Sequence, residues 1–210
     1  MRLTTPLTRL PVLLALLAAS ACARHRVLVP PRLDLRPYPK LGLVTFTVEN
    51  AKGSLHQFAT EQFAEALLQA QPGIEVLELG VLDTLLQRVG ERELGIAAAQ
   101  ELGTQRGVAA VFAGHLKITN PRGSGGISGL LTPHFEATVR VDLTVRLLSA
   151  QSGGTLWRSS AWATERVGHV ALVQGQLDFN ARDPKEAYGR LVNRLVELVT
   201  RDMWSTWQRQ

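Results

Sequence analysis

The sequence predicts an α/β (α+β) fold: a single domain with a mixed β-sheet, a late antiparallel hairpin and helices packed on the sheet. Three observations carry this. Between residues 41 and 119, short β-branched runs alternate with amphipathic segments, so strands are joined by helical crossovers. Residues 137–148 and 155–167 have strand character and are separated only by the turn-rich "SAQSGG", the pattern of a hairpin. The chain has 210 residues, 45% of them apolar, enough for one core.

The first element is a leader. Arg2 and Arg9 stand without any acid before "LPVLLALLAASA", an apolar run shorter than the ~20 residues that span a bilayer. Residues 1–21 therefore read as a removable signal peptide. Cys22, the single cysteine of the chain, follows directly, and an exported protein that used cysteines for disulfides would carry them in pairs. With Ala19, Ser20 and Ala21 before it, Cys22 resembles the cleavage site of bacterial lipoproteins. That resemblance implies a lipidated cysteine, and Ala23 after it implies an outer-membrane, periplasm-facing location. A plain signal peptide with an incidental cysteine, or an uncleaved N-terminal anchor, is the alternative. Without residues 1–21 the chain keeps 21 basic residues against 18 acidic ones, a formal charge of +3. Such a mild excess, on an exported chain with no helix-turn-helix or RNA-binding signature, argues against a nucleic-acid partner.

Residues 23–40 hold four prolines, five Arg or Lys and one acid, Asp34, without periodicity. They are expected to form a tether of up to about 60 Å, with the globular domain starting at residue 41. "LGLVTFTV" (41–48) reads as a buried strand. Ser54 and Gln57 suit a capping box, and Leu55, Ala59, Phe63, Ala66, Leu67 and Ala70 recur at helical spacing, so residues 54–71 form a helix. Pro72 and Gly73 end it. Residues 74–79 give a strand, 81–89 a short helix, 93–107 a helix closed by Gly103 or Gly107, and 108–119 a third strand.

In residues 137–148 the alternation is clean. Val139, Val141, Leu143, Val145 and Leu147 face one way, and Arg140, Asp142, Thr144 and Arg146 the other. Residues 155–167 return beside them. Asp183, Pro184 and Glu186 then open a last helix, whose stripe is Tyr188, Leu191, Val192, Leu195, Val199 and Met203.

Catalytic patterns are scarce. The glycine-rich stretch 121–129 lacks the Gly-Lys-Ser/Thr of a phosphate loop and leads into a strand; its composition predicts a mobile loop. His25, His56, His115, His134 and His169 show no metal-ligand spacing, and Ser124 and Ser128 lack the frame of a nucleophile elbow. No cofactor, metal or catalytic residue is assigned. Trp157 and Trp162 are an odd number of residues apart and face opposite sides of an unbroken strand, while Trp204 and Trp207 either seal the last helix or meet a partner or membrane. The candidate interface is thus the wet face with Arg140, Asp142, Thr144 and Arg146, the adjoining Trp157 and Arg158, and the Trp204–Trp207 end.

The order of elements, with "LGTQRGVAAVFAGHL" and "VDLTVRLLSAQSGGTLWRSSA", resembles the CsgG/LpoB-like lipoprotein superfamily over roughly residues 41–206. The family shares a fold with the N-terminal domain of TolB. The resemblance implies an outer-membrane lipoprotein that is an accessory or scaffold subunit in envelope biogenesis or transport, docking an envelope protein or a second copy of itself. The family also implies a second reading, a regulator that activates peptidoglycan synthesis; an enzyme of unrecognised type is the third. The chain departs from secretion-channel members because neither residues 120–133 nor 168–182 have the length or alternation of membrane hairpins. It departs from cell-wall activators in its short tether.

Overall fold

The computed structural model describes residues 26–123, 137–167, 171–173, 176–179 and 181–209. The signal segment, Cys22 and residues 124–136 of the glycine-rich stretch lie outside the described residues. Pro121–Gly123, expected in a loop, continue a strand instead.

The chain divides into two units. One is a two-stranded ribbon in which β1 (Arg26–Val29) pairs antiparallel with β11 (Thr206–Arg209). The other, Pro31–Trp204, is a mixed α/β body. Its main sheet has the order β5 (Glu75–Val81), β2 (Lys40–Thr45), β6 (Ala110–Gly123), β7 (Ala137–Ser149), β8 (Thr155–Val167), and β3 (Thr47–Glu49) also pairs with β6. β5, β2 and β6 run parallel through helical crossovers, whereas β6, β7 and β8 are antiparallel. Both the crossovers and the hairpin follow the sequence pattern.

Helices α1 (Leu55–Ala70) and α4 (Pro184–Val199) bury their apolar stripes on one face of this sheet. The main core there joins Leu55, Phe63 and Leu67 to Val139, Val141, Leu143 and Val145, and to Leu191 and Leu195. Aromatic rings run through it: Phe46 to Phe63 and Phe63 to Phe112 at 5.3 Å each, then Phe112 to Trp157 at 6.2 Å. On the other face α2 (Leu82–Val89) and α3 (Ile96–Arg106) cover only part of the sheet, packing Leu85, Leu86, Ala99 and Leu102 on Val44, Val111 and Leu148. Gly107, at φ 64°, closes α3, since a left-handed residue there costs glycine nothing.

Three departures from the sequence reading have physical causes. The reading of residues 23–40 as a tether is corrected over its second half: Leu35 is fully buried, and the backbone binds the body through Leu33 N to Asp202 O (2.9 Å) and Glu75 N to Pro39 O (2.7 Å). The organiser is Gln71, a buried amide at the end of α1. Its Oε1 accepts from Leu35 N, and its Nε2 donates to Leu33 O and Met203 O (2.7 Å).

The Ser54–Gln57 capping box does not form. Ser54 Oγ donates to Phe179 O and pairs with Tyr188 Oη at 2.9 Å, turning the start of α1 toward a small second sheet. That sheet, β4 (Ala51–Gly53), β10 (Gln176–Phe179) and β9 (Ala171–Val173), is the third departure. Runs of three or four residues are too short to show a period. At the last helix, by contrast, Asp183 accepts from Glu186 N at 3.1 Å as an N-cap.

Candidate functional site

Beyond the edge of α2 and α3, no described element covers the far half of the sheet. Alternation puts His115, Lys117 and Thr119 of β6, Arg140, Asp142, Thr144 and Arg146 of β7, and Arg158, Ser160, Trp162 and Thr164 of β8 on this side. β3 adds Thr47 and Glu49 beside His115 and Lys117.

At its centre Asp142 lies between Thr119, whose hydroxyl donates at 3.0 Å, and Arg140, whose Nη2 donates at 3.3 Å. The Arg140 guanidinium also sits 4.4 Å from the centroid of the Trp162 ring, a cation–π stack. Trp162 stands directly across from Asp142 in register and is 57% exposed. One side chain thus holds a carboxylate and an indole together on an open surface.

Around this centre the polar groups are satisfied in pairs. Glu49 meets Lys117 at 3.0 Å and His115 at 3.4 Å, and His115 Nδ1 lies 2.8 Å from Thr47 Oγ1. The Lys117 ammonium first, and His115 second, hold the Glu49 carboxyl below its ordinary range. Thr144 and Ser160 hydroxyls pair at 2.9 Å. Arg146 donates to Leu94 O at 2.7 Å, tying this face to the segment before α3. The side chain of Arg158, across from Arg146, has no ion pair or hydrogen bond to a described residue. Among the described residues the face carries Lys117, Arg140, Arg146, Arg158 and Arg166 against Glu49 and Asp142, a basic surface with an indole in it.

The edge beside this face is also open. β8 ends the main sheet, and a groove of about 540 Å³ runs between it and α4, lined by Trp162, Thr164, Glu165, Arg194, Leu198 and Arg201. No cluster of three metal-ligating side chains occurs among the described residues.

The residues proposed from sequence separate into four places. Arg140, Asp142, Thr144, Arg146 and Arg158 share the open face. Trp157 does not: it is on the covered side, edge-on to Phe112, with its indole N–H toward Asp202 at 3.4 Å. Its parity with Trp162 holds, but Trp162 is the exposed member. Trp204 is on the side of α1 and α4, its Nε1 3.4 Å from Thr200 Oγ1, at a shallow groove with Gln62, Ala66 and Val196. Trp207 is in the two-stranded ribbon. The residue that reading missed as a site is Trp162: its odd spacing from Trp157 puts one of the two on the open face, and only the observed register of β8 decides which.

No protein-family model matches the sequence, and no curated protein matches it. Among solved structures the chain is similar to the PelC dodecamer from Paraburkholderia phytofirmans, at 13% identity and a TM-score of 0.48, over 85% of this chain and 96% of that one. It is similar to the LpoB C-terminal domain from Escherichia coli, at 18% identity and a TM-score of 0.39, over 63% and 88% of the two chains. Lipoprotein GNA1162 from Neisseria meningitidis is similar at 19% identity and a TM-score of 0.38, over 60% and 83%.

Proposed function

We propose that this protein is a lipid-anchored, periplasm-facing outer-membrane lipoprotein that works without catalysis, as an accessory subunit docking another envelope protein on the open face of β6, β7 and β8. The anchor is Cys22. The observation that carries the docking role is the Arg140–Trp162 stack over Asp142 on a half-sheet that no described element covers. Arginine and tryptophan are the side chains that most often dominate interface energy, because each presents a large flat surface with directed polar groups. The basic balance around them favours a partner patch that is acidic at its rim.

A photoreactive amino acid in place of Trp162 tests this in intact cells, with the same probe at exposed Gln69 on α1 as control. Crosslinking to a distinct envelope protein, lost on Arg158→Glu, is expected. Products of this chain alone would make the face a self-association surface, and a peptidoglycan synthase as the crosslinked partner would favour the regulator reading. Equal crosslinking from both positions would refute the docking face. Arg158 is the better charge to reverse than Arg146, whose bond to Leu94 O gives it a structural role. Separately, Cys22→Ala should release the protein from the membrane fraction and remove its acyl mass.

A further inference from the structure

The two ends of the chain meet in the ribbon of β1 and β11, with Arg26 across from Arg209, Val27 from Gln208, Leu28 from Trp207 and Val29 from Thr206. Residues directly across an antiparallel pair project to the same side, and successive pairs to opposite sides. One side therefore presents Arg26, Leu28 and Trp207 together. Leu28 is 49% and Trp207 66% exposed. Among the described residues this ribbon, with four residues per strand, has no third strand or helix of its own on which to bury a leucine–tryptophan pair, and such ribbons are marginal by themselves.

The chemistry of this side matches a bilayer surface. Indole rings settle at the level of the headgroups, and arginine beside them pairs with anionic phosphates. The position matches as well. Cys22 precedes Arg26 by four residues, at most about 14 Å of chain, so an acyl group there keeps the ribbon at the membrane. We infer that the Arg26–Leu28–Trp207 side of the ribbon is a lipid-contact surface for anionic headgroups. Its location at the membrane rests on the Cys22 anchor proposed above, but the contact itself does not.

The test therefore uses the mature chain from residue 23, without an acyl group, on phosphatidylglycerol/phosphatidylethanolamine vesicles and on neutral phosphatidylcholine vesicles. Cosedimentation with the anionic vesicles is expected, falling with salt. Leu28→Ser with Trp207→Ser should weaken it tenfold or more, and Arg26→Glu should weaken it about fivefold or more on anionic vesicles alone. Brominated acyl chains should quench tryptophan emission in the wild type and not in Trp207→Phe. Unchanged circular dichroism and melting temperature establish that the variants are folded. Equal binding to both vesicle types, no binding at all, full binding by the double serine variant, or quenching that survives Trp207→Phe would each overturn the inference. Failure of the anchor would show differently, as a missing acyl mass on Cys22 in cells with the vesicle results intact.

Discussion

Gln71→Leu should cost about 0.5–4.5 kcal/mol of folding stability, although it adds an apolar side chain to a buried place. The amide of Gln71 holds three backbone groups that no strand or helix satisfies: Leu35 N–H at 3.3 Å, Leu33 C=O at 3.1 Å and Met203 C=O at 2.7 Å. The bonds to Leu35 and Met203 are buried, so water cannot replace them, whereas the one to Leu33 is only part-buried. Each buried group left unpaired costs about 1–3 kcal/mol, roughly 2–6 for the two. Burying leucine returns about 1.5 kcal/mol of that. In a domain of this size the balance lowers the melting temperature by roughly 1–18 °C. Urea unfolding of the mature chain measures it, with Gln69→Leu on the exposed side of α1 as a control that should stay within about 0.5 kcal/mol. Gln71→Glu, which keeps the shape but removes both N–H donors in front of two carbonyls, should be worse still at neutral pH. A Gln71→Leu protein as stable as wild type, with Leu35 N–H as protected from exchange, would refute the idea that this amide fixes residues 33–35 to the body.

Two further outcomes follow from local geometry. Gly53→Ala should destabilise the protein by well over about 1 kcal/mol in the same urea assay, because Gly53 has φ 92° and a Cβ there would come 2.3 Å from Phe179 O, a backbone atom of the paired strand. His56, in the first turn of α1, is held below its ordinary pKa by burial of its ring, which outweighs the opposing hydrogen bond to the Gly53 backbone. The unfolded chain therefore takes up that proton at higher pH than the folded one, so stability should fall as pH drops through the ordinary histidine range. The slope should flatten in His56→Asn, as followed by urea midpoints between pH 7 and 5.

Much of the body was legible because its signals are long. The strand at 137–149 alternates from 137 to 147 and the helix at 184–199 repeats its stripe over four turns, so each had many positions agreeing on one period. The pieces that escaped are short or depend on distant partners. β4, β9 and β10 have three or four residues each, and β1 exists only because β11, nearly the whole chain away, pairs with it. Leu35 among prolines and arginines looked like tether because nothing local says that Gln71, 36 residues later, will accept its N–H. Side chain–backbone bonds over such separations leave no periodic trace.

The site shows how narrow the margin was. β7 announced its wet face, so locating the tryptophans needed only the register of β8. A "SAQSGG" turn that pairs Leu148 with Thr155 would, in a regular ladder, put Leu156 across from Leu147 and Trp157 across from Arg146, on the open face. Instead the register shifts after Thr155: Leu156 bulges, Trp157 faces Leu147 and Arg158 faces Arg146. A shift of one residue moves every following side chain to the other side of the sheet. It sends Trp157 under the sheet to Phe112 and brings Trp162 out opposite Asp142, within reach of Arg140. The basic character of the face was written in β7, but its aromatic anchor was set by one bulged residue in the partner strand. The same bulge makes Trp162 and Arg158, rather than Trp157, the residues whose replacement tests docking without loosening the core.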